Sequence, residues 1–461
     1  MFLDLDLKPH DKIAAVDDSG TNLTYGEIIA FAGKFSGMVN PRSLIFILSE
    51  NCIGSLLGYT SCLSSKIVPL VLSAKTEIGL YMHLRDLYQP EYLWVPEGMA
   101  ESLGYEQQFK AYGYCLLRTQ YPKAELNDDL ALLLPTSGST GSPKLVRHSY
   151  RNIEANAENV KNLFELTPDE RAMAILPMHY TMGLSVIASH LKAGATLLLS
   201  GKSLLDPVFW KRLKEECATS FTGVPYSFDV LMKMRFTRMN LPDLKIITQG
   251  GGKLTEEMFH SLVQYAADNG KKFIATYGQT ECTARMAYLP AEYALTKTCS
   301  IGVAEPGGQL SLIDSDGNET FDGEGTGEMV YRGENVTLGY ATTREDLVKG
   351  DENRGVMHTG DLARRDADGC YFIVGRLKRF LKIFGLRIGL DEVENLIKEK
   401  YGTDCYCKGT DEVLVILVTD KSIADELPSF IEEKTHLFHN HIRVQVVDAI
   451  ERNEAGKVIN Q

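Results

Sequence analysis

A cluster of hydroxyl and glycine residues follows an apolar run, Leu132 to Leu134, and ends in a lysine. Its sequence is Thr136-Ser137-Gly138-Ser139-Thr140-Gly141-Ser142-Pro143-Lys144. Backbone N–H groups and hydroxyls of such a loop can converge on one anion, because glycine places no Cβ in the way. Lys144 adds a positive charge. This pattern favours phosphate binding.

An alternative interpretation has to be weighed against phosphate binding. The loop is not a Walker A loop, because Ser142-Pro143 separates Gly141 from Lys144, and that motif has its glycine and lysine adjacent. An isolated stretch of this composition usually indicates a flexible surface turn. The apolar run before it predicts a buried strand, which weakens that alternative.

Three later strands each end in a small or turn-forming residue. They run into Gly223-Val224-Pro225, into Gly250-Gly251-Gly252, and into Tyr277-Gly278. In open α/β sheets, ligands bind in the crevice beyond the carboxyl ends of the strands. We therefore expect these three loops to share one site with the loop that ends at Lys144.

The elements that would position these loops alternate between strands and helices as far as about residue 300. This rhythm predicts an α/β fold of sheets flanked by helices. Short β-like runs punctuated by glycine follow and predict a β-rich subdomain over about 301–375. A boundary near Gly375 would leave residues 376–461 as a small α+β domain of roughly 85 residues, a size at which domains fold independently.

Composition narrows the possible partners. The net charge of -13 argues against nucleic acid or an anionic membrane as the main partner. The nine cysteines include no C-x-x-C pair, which suits reduced thiols. No apolar run approaches the length of a membrane span, and the N-terminus does not resemble a signal peptide. We expect a cytoplasmic protein with no membrane span.

Five motifs in series resemble those of the adenylate-forming superfamily, the AMP-dependent synthetases and ligases that include acyl-CoA synthetases, peptide-synthetase adenylation domains and luciferases. The first is the loop from Thr136 to Lys144. The others, in chain order, are Tyr277-Gly278-Gln279-Thr280-Glu281, His358-Thr359-Gly360-Asp361, Gly375-Arg376 with Lys382 and Gly385-Leu386-Arg387, and Gly456-Lys457. The resemblance covers essentially the whole chain. It implies an adenylate-forming core over 1–375 and a mobile lid over 376–461.

The resemblance implies ATP and Mg²⁺ as cofactors and assigns residues to them. Mg²⁺ would be held by Glu281 and the Thr140 hydroxyl, since Mg²⁺ in nucleotide sites uses one or two protein oxygens together with phosphates. Tyr277 would offer a flat face to adenine, Asp361 would accept from the ribose hydroxyls, and Arg376 would donate to ribose or phosphate oxygens. The remaining expected nucleotide or cofactor contacts are Thr136, Ser137, Gly138, Ser139, Gly141, Lys144, Gly251, Gly252, Thr276, Gly278, Gln279, Thr280 and Lys382.

Lys457 has the most demanding role that the resemblance implies. It would swing with the lid into the site and bridge the carboxylate and the α-phosphate during adenylation. The lid would rotate at Lys378, two residues past Arg376, and the stretch from Lys382 to Arg387 would then face the incoming thiol. A solvated basic strand is the alternative interpretation of this stretch, Arg379 in particular.

The substrate is expected to be a small carboxylic acid without an α-amino group. Amino-acid-activating members of the superfamily carry an aspartate soon after the segment that matches 176–183, and here Leu184-Ser185-Val186-Ile187 follows. His179 would gate the acid pocket or be a satisfied buried histidine. The acid would lie among His179, Tyr226, Ser227, Gly250, Gly251 and Thr276.

Three functions remain open from the sequence. One is acid–thiol ligation with CoA, and the second is loading of an acyl carrier protein's phosphopantetheine by a stand-alone adenylation enzyme. The third is a catalytically silent nucleotide-binding homologue, against which Lys457, Glu281 and Asp361 argue.

Overall fold

The computed structural model describes residues 1–136, 144–377, 379–383, 386–410, 412–452 and 458–459, with the backbone alone at 380, 382, 386 and 387. The chain forms two compact units, Met1–Gln309 with Tyr331–Met357, and Leu310–Val330 with His358–Gln461. This division groups part of the β-rich segment with the C-terminal residues. The expected boundary near residue 375 stays a prediction.

The α-helices in the described ranges are α1 (Tyr25–Ser36), α2 (Ile53–Ser64), α3 (Ile78–Tyr88), α4 (Glu97–Leu103), α5 (Tyr150–Leu163), α6 (Thr181–Ala193), α7 (Pro207–Glu215), α8 (Pro225–Lys233), α9 (Glu256–Asp268), α10 (Leu390–Tyr401) and α11 (Leu427–Thr435). Across these ranges, we find no helix that combines the length and the apolar character needed to cross a membrane.

The strands of the first half are β1 (Ile13–Val16), β2 (Asn22–Thr24), β3 (Leu44–Ser49), β4 (Val68–Ser73), β5 (Tyr92–Pro96), β6 (Glu106–Ala111), β7 (Tyr114–Arg118), β8 (Leu130–Pro135), β9 (Leu145–Ser149), β10 (Arg171–Ala174), β11 (Thr196–Leu199) and β12 (Ser220–Gly223). The later strands are β13 (Ile246–Gln249), β14 (Lys272–Tyr277), β15 (Ala287–Tyr288), β16 (Val303–Ala304), β17 (Gln309–Ile313), β18 (Glu319–Thr320), β19 (Gly325–Arg332), β20 (Tyr340–Ala341), β21 (Val356–Arg365), β22 (Tyr371–Arg376), β23 (Phe380–Ile383), β24 (Leu386–Gly389), β25 (Cys405–Thr410), β26 (Val413–Val418) and β27 (Ile442–Val446).

Two large sheets form the first unit. One has the order β16-β15-β14-β13-β12-β10-β11-β1-β2, with parallel pairing from β14 to β1, and the other has the order β20-β9-β8-β4-β3-β5-β7-β6. Most of a five-stranded sheet, β18-β17-β19-β21-β22, lies in the second unit with the pair β23-β24 and the sheet β25-β26-β27. The predicted fold class, α/β sheets with a β-rich part and a C-terminal α+β part, is confirmed.

The core of the first unit explains the long apolar runs in the sequence. Every residue of β3 is buried, as expected for a parallel strand covered on both faces. Helices α2 and α6 are also buried on nearly all sides. They pack in one apolar cluster with residues of both large sheets, among them Ile45 of β3 and Leu197 of β11. The helices are therefore enclosed between two layers of strands.

The three strands that the sequence predicted to end together lie side by side in the nine-stranded sheet. Strands β12, β13 and β14 are parallel neighbours, and their ends are in register, with Gly223 opposite Gln249 and Gln249 opposite Ala275. The loops that follow them therefore leave the sheet at the same edge, as the sequence predicted. Strand β10, on the other side of β12, leads into the segment that carries His179.

Arg147 fastens a distant segment to β9, the strand that follows the candidate phosphate loop. Its side chain is fully buried, and its guanidinium donates to the carbonyl oxygens of Tyr340 at 3.0 Å, Leu338 at 3.0 Å and Gly350 at 3.2 Å. It also donates to the carbonyl of Lys349 and to the carboxylate of Glu352. One buried cation thus satisfies several carbonyl groups of residues 338–350.

Replacing Arg147 by methionine should destabilise the protein by about 3 kcal/mol, because the carbonyls it serves would lose a charged donor while the apolar stem is kept. The midpoint of chemical denaturation would measure this. Arg151→Met is the matched control, since Arg151 also pairs with a glutamate, Glu334, but both side chains are exposed. Equal effects of the two substitutions would contradict the anchoring role of Arg147.

Candidate active site

The ends of the candidate phosphate loop are held together by backbone pairing. Strand β8 ends at Pro135, opposite Leu145 of β9, and the Thr136 amide donates to the Lys144 carbonyl at 2.9 Å. The structure therefore brings Thr136 and Lys144 together at the base of the loop. The other predicted contacts in this loop, Ser137, Gly138, Ser139, Thr140 and Gly141, lie outside the described residues.

Tyr340 connects Lys144 with Glu281. The Lys144 ammonium lies 5.4 Å from the centre of the Tyr340 ring, within cation–π range. The Tyr340 hydroxyl donates to Glu281 Oε1 at 2.7 Å. Burial and the adjacent carboxylate raise the pKa of Tyr340, so the phenol keeps its proton and remains a donor. The predicted cation and the predicted metal ligand thus share one aromatic neighbour.

The backbone around Glu281 is held by the same segment. Glu281 lies in a short 3₁₀ turn, Thr280–Cys282, and its carbonyl accepts from the Thr337 amide at 3.0 Å and the Thr337 hydroxyl at 2.9 Å. The Asn335 side chain donates to the carbonyls of Cys282 at 3.0 Å and Arg285 at 2.8 Å. Residues 335–340 therefore fix both the carboxylate and the main chain that carries it.

The turn between Tyr277 and Met286 requires an unusual backbone. A Cβ on Gly278 would lie 1.5 Å from the Ala284 carbonyl oxygen, so only glycine fits there. Thr283 and Ala284 have positive φ values of 50° and 88°, which side-chain-bearing residues rarely adopt. The partly buried Tyr277 ends β14, and its hydroxyl accepts from Gln279 Nε2 at 3.1 Å.

The glycine loop after β13 packs against α6 and Thr276. A Cβ on Gly250 would lie 2.5 Å from Met182 Cε and 2.8 Å from Thr276 Oγ1, and the Thr276 hydroxyl donates to the Gln249 carbonyl at 2.9 Å. Gly251 has a φ of +79°, the left-handed region that glycine adopts without strain. Gly250 and Thr276 are thus neighbours, and their place in an acid pocket stays a prediction.

The other predicted acid-pocket and loop residues have separate surroundings. Gly252 lies against Pro225, and the Ser227 hydroxyl accepts from the Val224 amide at 3.3 Å. The Tyr226 side chain is 58% exposed. These loops share one edge of the sheet, although the described contacts do not join all of these residues directly.

His179 is a neutral, partly buried imidazole. Burial, with a smaller contribution from Lys75, lowers its pKa to about 4. Its ring centre lies 4.4 Å from that of Tyr180. This neutrality is compatible with a gate and with a structural histidine, and the two alternatives stay open.

Asn51 holds the segment that leads to His179. Its Nδ2 donates to the carbonyls of Ala174 at 3.3 Å, Leu176 at 3.1 Å and Ser200 at 3.2 Å, while its Oδ1 accepts from the Met178 amide at 3.1 Å. The sequence reasoning missed this residue. The signal that could have found it is its place just beyond the carboxyl end of β3.

In the second unit, Asp361 and Arg376 face each other across β21 and β22. The Arg376 Nε donates to Asp361 Oδ1 at 2.9 Å, and the aspartate is 3% exposed whereas the arginine is 57% exposed. The structure therefore pairs two residues that the sequence predicted as nucleotide contacts. Lys378, Lys457 and the side chain of Lys382 lie outside the described part of the chain.

Arg379 corrects one interpretation from the sequence. The alternative of a solvated basic side chain is wrong, because its guanidinium binds both carboxylate oxygens of Glu394, at 2.5 and 3.1 Å, and pairs with Asp391. It also donates to the Cys407 carbonyl at 3.1 Å. Arg379 thus fixes the start of β23 to α10 and β25.

Comparison with curated proteins finds acid–CoA ligases. The chain is 28% identical over 352 residues to an oxalate–CoA ligase of Arabidopsis thaliana, which covers 72% of this chain and 66% of the relative. It is 29% identical over 329 residues to a long-chain-fatty-acid–CoA ligase of Salmonella typhimurium, covering 70% and 56%. An indoleacetate–CoA ligase of Aromatoleum aromaticum is 31% identical over 58% of this chain and 52% of its own length. The aligned segment is less than two thirds of each relative.

Solved structures share the fold over nearly the whole chain. O-succinylbenzoate coenzyme A synthetase from Bacillus subtilis in complex with AMP matches with a TM-score of 0.78 at 19% identity, covering 98% of this chain and 95% of that one. The ATP-bound MatB protein from Rhodopseudomonas palustris matches with a TM-score of 0.77 at 21% identity, covering 99% and 96%.

The family model described as AMP-binding enzyme matches residues 5–341. This range includes the loop from Thr136 to Lys144, Glu281 and, next to its end, Tyr340. The match spans well over half of the chain and agrees with the fold of the solved structures. The chain therefore belongs to the AMP-binding enzyme family.

Proposed function

We propose that this protein uses ATP to convert a carboxylic acid into an acyl-adenylate with release of pyrophosphate, and then transfers the acyl group to the thiol of CoA. The observation that carries the proposal is the arrangement of Lys144 and Glu281 around Tyr340 beside the sheet edge. The family match and the acid–CoA ligases among the relatives support it.

The chemical obstacle is repulsion between two anions. A carboxylate oxygen must attack the α-phosphorus while the bond from that phosphorus to the bridging oxygen of pyrophosphate breaks. Thr136 and Lys144, at the base of the loop, would hold the β- and γ-phosphates of the leaving group. Glu281 would offer a carboxylate oxygen to Mg²⁺, which neutralises phosphate charge when bound.

The fit of a metal to Glu281 can be judged from its hydrogen bonds. Tyr340 donates to Oε1, which orients the carboxylate, and such outer hydrogen bonds are typical around metal-binding carboxylates. Thr140 would supply a hydroxyl oxygen. The donor set is one carboxylate and one hydroxyl, the oxygen ligands that Mg²⁺ prefers in nucleotide sites.

The nucleoside has its own set of proposed contacts. Tyr277 would stack on adenine, and the loops at Gly251-Gly252 and Gly278-Gln279-Thr280, with Thr276, allow the main chain to approach the nucleotide closely. Asp361 would accept from the ribose hydroxyls, with Arg376 holding its carboxylate in orientation. The assignments in the loops after β13 and β14 are supported by the position of those loops at one sheet edge.

The two steps would use different lysines. Lys457 would donate to the carboxylate and the α-phosphate oxygens as they approach, which lowers the charge repulsion in the transition state. In the second step the thiolate sulfur attacks the acyl carbon and AMP leaves with the electron pair of the broken C–O bond. Lys382 would face the thiol donor, and residues 376–461 would act as the lid.

We propose that the substrate is an acid without an α-ammonium group. Met182 to Ile187, at the start of α6, contain no acidic residue to hold such a group, and Met182 closes over Gly250. The neutral His179 carries no charge that would attract or repel a charged side group. An organic acid whose only charge is the reacting carboxylate suits this environment.

A pyrophosphate-exchange assay with a panel of acids tests the proposed function. We expect ATP- and Mg²⁺-dependent exchange with one class of acid lacking an α-amino group, and AMP formation with CoA as acceptor. A phosphopantetheinylated carrier protein in a parallel reaction distinguishes the two acceptors. The absence of exchange with every acid would favour a catalytically silent protein.

Lys457→Ala should lower acid-dependent pyrophosphate exchange by about 10²–10³-fold, because a preorganised donor to the transition state is lost. Binding of ATP, measured by calorimetry, should change little, since the lysine acts on the reacting oxygens. Lys434→Ala is the matched control, because Lys434 pairs with its neighbour Glu433 on the surface. Unchanged exchange in the Lys457 variant would refute the assignment.

Tyr340→Phe should raise the Mg²⁺ concentration needed for half-maximal exchange by about tenfold, because Glu281 loses the hydrogen bond that orients it. The aromatic ring over Lys144 is kept, so the effect reports on the hydroxyl alone. The control is Tyr112→Phe on an exposed tyrosine, which should leave the Mg²⁺ dependence unaltered. A fall in rate without any change in Mg²⁺ dependence would argue against this link to the metal.

A further inference from the structure

A small buried cavity lies beneath the turn that carries Glu281. The space open to the centre of a water-sized sphere is about 10 Å³, and the polar lining comes from Tyr59, His148, Asn156, Thr181, Ser185 and Thr283. The Tyr59 hydroxyl, His148 Nε2 and Asn156 Nδ2 have no hydrogen-bond partner among the described residues, and all three side chains are buried. Leaving such groups unpaired costs about 1–3 kcal/mol each.

The hydrogen bonds of His148 determine which of its nitrogens carries the proton. Its Nδ1 lies 3.2 Å from the Thr283 hydroxyl oxygen, and that hydroxyl donates its single proton to the Asn335 carbonyl at 2.8 Å. Thr283 must therefore accept from Nδ1–H. Burial lowers the pKa of His148 to about 3, so the ring is neutral. Nε2 is consequently a hydrogen-bond acceptor.

A similar argument fixes the amide orientation of Asn156. Arg285 has only donors, and its Nη1 donates to the Ser185 hydroxyl oxygen at 2.7 Å. The Ser185 proton is then directed to Asn156 Oδ1, also at 2.7 Å. The amide oxygen is thereby identified, and Nδ2 presents donors.

We propose that this cavity is a binding site for one ordered water molecule that joins Tyr59, His148 and Asn156. A water molecule matches both the volume and the three groups, because it can accept from Asn156 Nδ2 and the Tyr59 hydroxyl while donating to His148 Nε2. An ammonium ion has no acceptor to offer Asn156. A larger molecule exceeds the volume.

The water completes a chain of hydrogen bonds that begins and ends in the turn after Glu281. The chain runs from Thr283 through His148, the water, Asn156 and Ser185 to Arg285. Thr283 and Ala284 hold left-handed backbone conformations that the surroundings must enforce. His148 and Asn156 are thus positioning residues for this turn. The water site does not depend on the proposed function. Its significance for metal binding by Glu281 rests on that function.

A crystal structure of the full chain at about 1.8 Å tests the site directly. We expect one isolated density peak within about 3.2 Å of His148 Nε2, Asn156 Nδ2 and the Tyr59 hydroxyl. Absence of a peak, or density for a larger molecule, would overturn the proposal. This measurement requires no activity and is independent of the adenylation chemistry.

The Tyr59→Phe variant provides a test in solution, because the proposal predicts the direction in which its melting temperature changes. If the hydroxyl binds the water, its removal should lower the melting temperature by about 1–2 °C. Tyr265→Phe is the matched control, because the Tyr265 hydroxyl is also buried without a partner among the described residues but does not line this cavity. The control should leave the melting temperature unchanged or raise it. The same response in both variants would overturn the proposal.

Hydrogen exchange separates the positioning role from stability alone. In the Tyr59→Phe variant, amides of residues 282–286 should exchange about threefold faster than in the original protein, because local opening costs less free energy, while those of β3 exchange at the same rate. Uniform acceleration across the first unit, or no acceleration in the turn, would contradict the hydrogen-bonded chain through the cavity.

Discussion

The hydrogen bonds from residues 335–340 to the turn around Glu281 are the interaction on which the candidate site depends. Asn335 donates hydrogen bonds to two carbonyls of the turn. Thr337 donates to the Glu281 carbonyl, and the Tyr340 hydroxyl donates to the Glu281 carboxylate. Arg147 fastens the continuation of this segment to β9, directly after the candidate phosphate loop. The phosphate-binding and metal-binding parts of the proposed site are therefore joined through one strand and one buried cation.

This arrangement requires polar and charged groups in the core, which is energetically unfavourable unless they are hydrogen-bonded. Glu305 is an example: burial raises its pKa to about 8, although Asn159 and Tyr331 donate to Oε1. Burial also lowers the pKa of Arg285 to about 10. Asn335 Nδ2 donates hydrogen bonds both to Glu305 Oε1 and to the Arg285 carbonyl. These groups hold a strained turn in one conformation, a role that an apolar core could not fill.

The sequence predicted the elements better than it predicted the contacts between them. Apolar runs that end in glycine or hydroxyl residues identified β8, β13 and β14 and the sheet edge they share, because burial and turn chemistry are local properties of the chain. Tyr340 could not be found in this way, since it belongs to a two-residue strand, β20, and meets Glu281 only through pairing with β9. The burial of Arg147 was not predicted, because a charged residue within a strand ordinarily indicates a side chain exposed to solvent.

In the second unit, too, the sequence did not predict which residues contact each other. The pairing of Asp361 with Arg376 depends on a register shift between Leu362 and Ala363, which strict alternation of residues along a strand does not indicate. Arg379 lies in a run of basic residues, and its partners Asp391 and Glu394 are on a helix that follows a hairpin. In both cases the residue types were informative, but the partner was set by strand register in the first case and by the packing of α10 in the second.

The spacing of these contacts along the chain has a consequence for assembly of the site. Arg147, in β9, binds the Leu338 carbonyl across 191 positions of the chain, and Tyr340 contacts Glu281 across 59 positions. Contacts between residues so distant in sequence form after local ones, because chain closure costs entropy. The helices and the parallel strands can therefore fold before Glu281 is oriented. We therefore expect Glu281 to reach its final orientation only after these long-range contacts form.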